Sequence, residues 1–223
     1  MGKINQEQYH PDPAMETQMI VQIFLNVIEQ ELKEINQSKE IIKEINLKSK
    51  EIQNDHRDWI IDEPSRYHLE TVAIVLSTYL ILKSVWSKEE AFHSIRKAFI
   101  EPFREYGKEK TNLTLDSENP FRQIVDLSRM REQYFFGSTF TFERVQDDEH
   151  AYLLDVTNCF YHNFFSKNNA PELTAIFCEF DNIWIDSIDT KKHKFYFERT
   201  ETMGLGGKKC PFYFYQGEKR DDK

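Results

Sequence analysis

A chain of 223 residues is long enough for one large domain or two small ones and for a sizeable buried core, and one domain over 1–223 is the expectation. A formal charge of −9 disfavours nucleic acid and anionic membranes as partners, because both reward clustered Lys and Arg. Aromatic residues make up 14% of the chain, so rings must fill much of the core or line a pocket, and only 7 Gly and 7 Pro argue against a loop-rich protein.

The three cysteines, Cys159, Cys178 and Cys210, form an odd set without a framework spacing, which points to a reducing compartment. The N-terminal stretch has no apolar run of the signal-peptide kind. The longest apolar run, Thr71 to Leu82, is too short to span a bilayer. A cytoplasmic location is expected, with no membrane partner; self-association stays open.

Residues 1–13 read as a polar tail, ended by His10-Pro-Asp-Pro13. Asp12 is placed to cap a helix with Pro13 at its first position. Apolar residues then recur at helical spacing from Met15 to Ile52, as one helix or as two with a break at Gln37-Ser38. Ser65 is expected to cap a buried helix to about Lys83. Ser87 and Glu90 form a capping-box signature, and the helix they open should run to about Tyr106 with Gly107 as its stop. Residues 108–120 read as a polar loop, and Phe121 to Met130 as another helix. At Tyr134 the period changes from about 3.6 to 2, which predicts a strand through Glu143 and, after a turn at Gln146 to Glu149, a second strand from His150 to Val156.

The pattern is α+β, with a helical part over 14–133 and an α/β part over 134–217. The helical half is expected to pack on an antiparallel sheet of hairpins, with two helices inserted between them. Phe195 to Thr202 and the return strand from Cys210 form the second hairpin, turned by Gly204, Gly206 and Gly207. That glycine cluster is not a phosphate loop, since neither a Gly-Lys-Ser/Thr ending nor a helix follows it.

The last hundred residues carry the chemistry. Thr157 or Asn158 can cap a short helix with Cys159 in its first turn, where the positive helix end lowers a thiol pKa. His162, three residues on, shares that face as a base or ligand, although a structural thiol beside a partly exposed His reads equally well. In the next helix Leu173, Ile176, Phe177, Phe180, Trp184 and Ile188 form an apolar stripe, and Cys178 and Asp181 lie one turn apart beside it. A carboxylate there raises the thiol pKa unless a cation intervenes, so Asp181 suits a proton acceptor or substrate anchor better. Strand alternation places Arg199 among aromatic rings, where it needs an acid partner or an anionic ligand.

The order Val156-Thr-Asn-Cys159, Pro171-Glu-Leu, Cys178-Glu-Phe-Asp181, Arg199-Thr-Glu-Thr202, a glycine turn and Cys210-Pro-Phe212 resembles the L-2-amino-thiazoline-4-carboxylic acid hydrolase family over roughly the last 90 residues. The resemblance implies hydrolysis of the C=N bond of a cyclic amidine-like ring, opening it to a carbamoyl-cysteine, on a small-molecule substrate with a carboxylate and without a cofactor or metal. It implies Cys178 as nucleophile, Asp181 as base or amidine anchor, Cys159 as a second thiol, Arg199 as carboxylate clamp and Thr202 as a polar contact. His162 falls outside the pattern and enters as a substrate contact from its spacing alone. The helix–helix–hairpin order also looks like 4-vinyl-reductase-like ligand-binding domains, some of which bind zinc through cysteines and an acid; a ligand or metal sensor is the competing class.

Overall fold

The computed structural model describes residues 11–34 and 38–218; the expected polar tail lies largely outside them. The periodicity over Met15 to Ile52 resolves into two helices, α1 (Pro13–Glu31) and α2 (Ser38–Asp55). Asp12 accepts the Met15 N–H at 3.0 Å and Pro13 opens α1. The expected break coincides with the start of α2, with residues 35–37 outside the described ones.

Around these two helices the buried helix α3 (Glu63–Leu82) forms the centre of the helical half. Its cap is Asp62 rather than the expected Ser65. Ser65 stands three residues on and returns the bond: its N–H donates to Asp62 Oδ1 at 2.9 Å while its Oγ receives the Asp62 N–H at 3.0 Å. Pro64 in the first turn favours that register. Val72, Ala73, Val75, Tyr79 and Leu82 are fully buried, and each large apolar side chain so placed stabilises the fold by about 1.5–3 kcal/mol before entropy is counted. The buried hydroxyls of Ser77 and Thr78 donate back to the Ile74 carbonyl, at 3.0 and 2.7 Å, so they cost little in desolvation.

The capping box at Ser87 and Glu90 opens α4 (Lys88–Ile100) as expected. The helix does not run to Tyr106. Pro102 cannot supply an N–H to it, and a 3-10 turn at Glu101–Phe103 redirects the chain into α5 (Arg104–Leu115). The expected loop over 108–120 is therefore helical for most of its length. Gly107 lies inside α5 instead of stopping a helix, and a Cβ there would stand 2.5 Å from Ile183 Cγ2. Close packing, not helix termination, is what requires the glycine.

Next comes α6 (Pro120–Arg131), which continues into a π-helical turn over Glu132–Phe136 and a 3-10 turn over Gly137–Thr139. The strand expected from Tyr134 is thus delayed. Of its alternating rings Phe136 belongs to the π-helical turn, Phe140 follows the 3-10 turn and only Phe142 lies in the strand; Phe135, Phe136 and Phe140 surround the ring of His68.

Four strands, β1 (Thr141–Asp147), β2 (Ala151–Asn158), β3 (Phe195–Glu198) and β4 (Cys210–Gln216), pair antiparallel in the order β1-β2-β4-β3. This establishes the α+β class. Tyr152, Leu154 and Phe214 turn one face of the sheet onto α5 and α6 through Leu115, Phe121 and Ile124. Asp155 sits on the opposite face, 4% exposed, and its carboxylate is matched by Lys209 at 2.6 Å and the Tyr213 hydroxyl at 2.9 Å.

Between β2 and β3 the chain makes four short helices, not the two expected: α7 (Phe160–Lys167), α8 (Thr174–Phe180), α9 (Asn182–Ile185) and α10 (Thr190–His193). The stripe from Leu173 to Ile188 is real, but the helix carrying it breaks at Asp181.

Candidate active site

Three segments meet beside α3 and α4. The helix α7 is fixed by Phe160, Phe164 and Phe165, all buried. Against α4, α8 is held by Phe177, whose ring centroid lies 4.6 Å from that of Phe99, and by Arg96, which forks the Glu179 carboxylate. The turn after β3 closes onto α8 at Gly204, where a Cβ would meet Cys178 Sγ at 2.8 Å and the Ala175 nitrogen at 2.9 Å. Only glycine lets this backbone come so near the thiol.

That approach sets the state of Cys178. The Cys210 thiol faces its sulfur and donates to it, and the Thr202 hydroxyl and Gly204 N–H add to the effect. Together they outweigh burial and bring the Cys178 pKa down to about 7. Cys210 moves the opposite way: it supplies the proton for that contact and is buried, so its own ionisation is suppressed. Thr202 is 5% exposed, and its buried hydroxyl closes no hydrogen bond of ordinary geometry among the described residues, which leaves a buried donor beside the sulfur. Asp181 does oppose the thiolate, as the charge argument anticipated, but as the least of these influences.

Asp181 stands at the junction of α8 and α9, one turn from Cys178. Arg199 Nη1 donates to its Oδ2 at 2.8 Å, and Trp184 Nε1 donates to Oδ1 at 3.3 Å. The other end of the Arg199 fork donates to the Cys178 carbonyl and to Asn182 Oδ1, both at 3.0 Å. Arg199 has therefore found its acid partner inside the protein, and it pins the strand end to the helix junction. Desolvation still wins at Asp181: its pKa is raised, with Arg199, Trp184 and Arg131 pulling against the shift.

Cys159 is the N-cap residue of α7 rather than a first-turn residue, and its thiol closes no capping hydrogen bond. The expected lowering is reversed, because burial lifts its pKa to about 12 and the Tyr161 and His162 N–H groups only soften the rise. Of His162, the backbone alone approaches that sulfur, while ring Nδ1 is buried without a hydrogen-bond partner among the described residues. Sequence reasoning missed three contributors. Tyr161 neighbours Cys159 and Asp181, and Arg131 and Glu16, paired at 3.2 Å, are close enough to influence its ionisation. Nothing local marks Arg131 or Glu16, which lie on α6 and α1, far from the motif.

Cys159, Tyr161 and Asp181 share a further property. Desolvation dominates the ionisation of each, yet none is sealed from solvent. The Asp181 side chain keeps 32% of its surface and that of Arg131 keeps 28%. These groups cluster closely enough to influence one another's ionisation, and their partly open surface is a candidate recess. Its charges are two acids, Asp181 and Glu16, and two arginines, Arg199 and Arg131; Arg131 lies over Phe136, Arg199 over Phe212, and Tyr161 against Phe177. A surface depression of about 580 Å³ lies elsewhere, between Arg129, Glu132, Phe142 and Arg144, and its arginines are already paired with Asp126, Asp147 and Glu132.

Among the described residues no group of three or more His, Cys, Asp or Glu side chains is placed to hold a metal ion, the three cysteines with Asp181 included. Among the same residues no helix is long and apolar enough to cross a membrane.

Comparison with known proteins agrees with the motif. The family model of L-2-amino-thiazoline-4-carboxylic acid hydrolase matches residues 66–214. No curated protein matches the chain. Among solved structures, the crystal structure of an Fe(II) unliganded H-NOX protein from K. algicida aligns over 92% of this chain and 98% of that chain, at 10% identity and a TM-score of 0.37, too low to show a shared fold.

Proposed function

Since the chain belongs to the L-2-amino-thiazoline-4-carboxylic acid hydrolase family, we propose that it is a hydrolase which opens a small cyclic amidine bearing a carboxylate, of the 2-amino-thiazoline-4-carboxylate type. The observation that carries this reading is geometric: Cys178 and Asp181 stand one helical turn apart and are tied to one guanidinium, Arg199, with the Arg131–Glu16 pair close by, so that acids and arginines balance. A zwitterion with an amidinium at one end and a carboxylate at the other matches that balance.

In this mechanism the Cys178 thiolate adds to the ring carbon between nitrogen and sulfur, and the C=N electron pair moves to the ring nitrogen. The tetrahedral carbon then expels that nitrogen, which takes a proton that Asp181 relays to it from the amino group of the former amidinium, a relay suited to a carboxyl whose pKa is raised. Water adds next with Asp181 as base, the Cys178 thiolate leaves, and a carbamoyl-cysteine remains. Thr202 and Gly204 hold the sulfur as an anion at both ends of the cycle. Arg199 keeps Asp181 in place and has donors left for the substrate carboxylate. Cys159, protonated beside the recess, serves as a neutral contact, and His162 as a further contact.

The test is direct turnover. Purified protein incubated with L-2-amino-thiazoline-4-carboxylate should yield carbamoyl-cysteine, and Cys178→Ser should lower kcat by orders of magnitude. Undiminished product formation by Cys178→Ser would exclude covalent catalysis by this residue.

A further inference from the structure

His68, 2% exposed, is enclosed by the rings of Phe135, Phe136, Phe140 and Phe160. Burial keeps it neutral by pushing its pKa down to about 4. Both ring nitrogens have fixed partners: Nε2 lies 3.2 Å from the Phe136 carbonyl oxygen, and Nδ1 lies 3.0 Å from the Tyr161 hydroxyl. A carbonyl oxygen can only accept, so Nε2 carries the one proton of the imidazole and Nδ1 presents a lone pair. The Tyr161 hydroxyl must then donate its only proton to Nδ1.

A free tyrosine hydroxyl rotates to suit a donor or an acceptor, but this one cannot. Its ring is wedged between Phe140 and Phe177, with centroids at 5.2 and 4.6 Å. What its oxygen has left is acceptor capacity alone, and Cys159, Asp181, Arg131 and Glu16 lie near enough to influence it. We infer that Tyr161, oriented by His68, is an acceptor-only contact that selects ligands presenting an N–H group at this point. The inference rests on the substrate class proposed above, where the exocyclic amino group of a 2-amino-thiazoline is that donor. A ligand with a methyl group in its place has the same size but leaves the buried oxygen lone pairs without a partner.

The experiment compares binding of 2-amino-thiazoline-4-carboxylate and 2-methyl-thiazoline-4-carboxylate to the wild type and Tyr161→Phe by calorimetry, with thermal melting as the folding control. Removing the hydroxyl should weaken the amino ligand by roughly tenfold and change the methyl ligand by less than about twofold, the loss expected for one hydrogen bond. Equal losses for both ligands, or none for either, overturn the assignment. Wild-type protein needs no variant to answer part of the question: no preference for the amino over the methyl ligand also overturns it. If the wild type binds neither compound, the substrate class itself falls and the assignment with it, a result distinct from normal binding with an unaltered variant.

Discussion

Arg199 reaches from the end of β3 to Asp181, Nη1 to Oδ2 at 2.8 Å, and with its other nitrogen bonds the carbonyl of Cys178 at 3.0 Å. One guanidinium thus ties together the backbone of the proposed nucleophile and the side chain of its acid partner. Lysine cannot reproduce this fork. Arg199→Lys should lower stability by about 1.5–3 kcal/mol, the range for hydrogen bonds to a charged group, and raise KM. Urea denaturation and steady-state kinetics check it; unchanged values of both would contradict the role.

The thiol pair gives a second prediction. A pKa of about 7 means that Cys178 is largely thiolate above pH 7, so its alkylation rate should rise through a midpoint near pH 7. Cys159 and Cys210, both shifted upward, should lag behind it. In Cys210→Ala the strongest donor to that sulfur is gone, and the midpoint should move up toward the ordinary thiol value of about 8.5. Iodoacetamide labelling with peptide mapping reads this, and an unmoved midpoint would refute the pairing.

Gly204→Ala would place a methyl 2.8 Å from Cys178 Sγ and 2.9 Å from the backbone of α8. Backbone cannot yield as a side-chain tip does, so the turn must shift. The cost should be about 1–3 kcal/mol, with Cys178 losing its Gly204 donor and reacting more slowly at neutral pH. A variant that melts and alkylates like the wild type would contradict the close approach.

Asp62 both caps α3 and receives the N–H and hydroxyl of Ser138. Burial works against its charge, but those bonds prevail and hold its pKa at about 2, below the ordinary 3.8. A depressed carboxylate pKa contributes stability that is complete above 3.8 and fades as the pH falls toward 2. Asp62→Ala should cost about 1–2 kcal/mol at neutral pH, and its deficit should shrink over that acid window. Melting curves at pH 7 and pH 3 decide it; a deficit that does not change with pH would show that the charge is not what matters.

How much of this was legible in the sequence depended on the range of the force involved. Local rules found Asp12, the Ser87–Glu90 box and the β2 and β4 strands, because capping and alternation act within a few residues. They failed where tertiary packing took over. Gly107 looked like a stop but serves the contact with Ile183, and the rings after Tyr134 looked like a strand but close around His68. At the site, motif order identified Cys178, Asp181 and Arg199, which the fold does bring together. The lowering expected at Cys159 did not occur because burial dominates there, and the downward shift at Cys178 had no local signal because it depends on Cys210, Thr202 and Gly204 arriving from the hairpin. Tyr161, Arg131 and Glu16 had no local signal at all.

The central claim is that Cys178 attacks the ring carbon with Asp181 managing the proton. Rapid acid quench of the protein turning over 2-amino-thiazoline-4-carboxylate, followed by intact-mass analysis and peptide mapping, measures it most directly. The account predicts a species heavier by one substrate, borne on Cys178, that disappears in Cys178→Ser and persists longer in Asp181→Asn because water is no longer activated. Turnover with no adduct in either the wild type or Asp181→Asn, and with activity retained in Cys178→Ser, would contradict it.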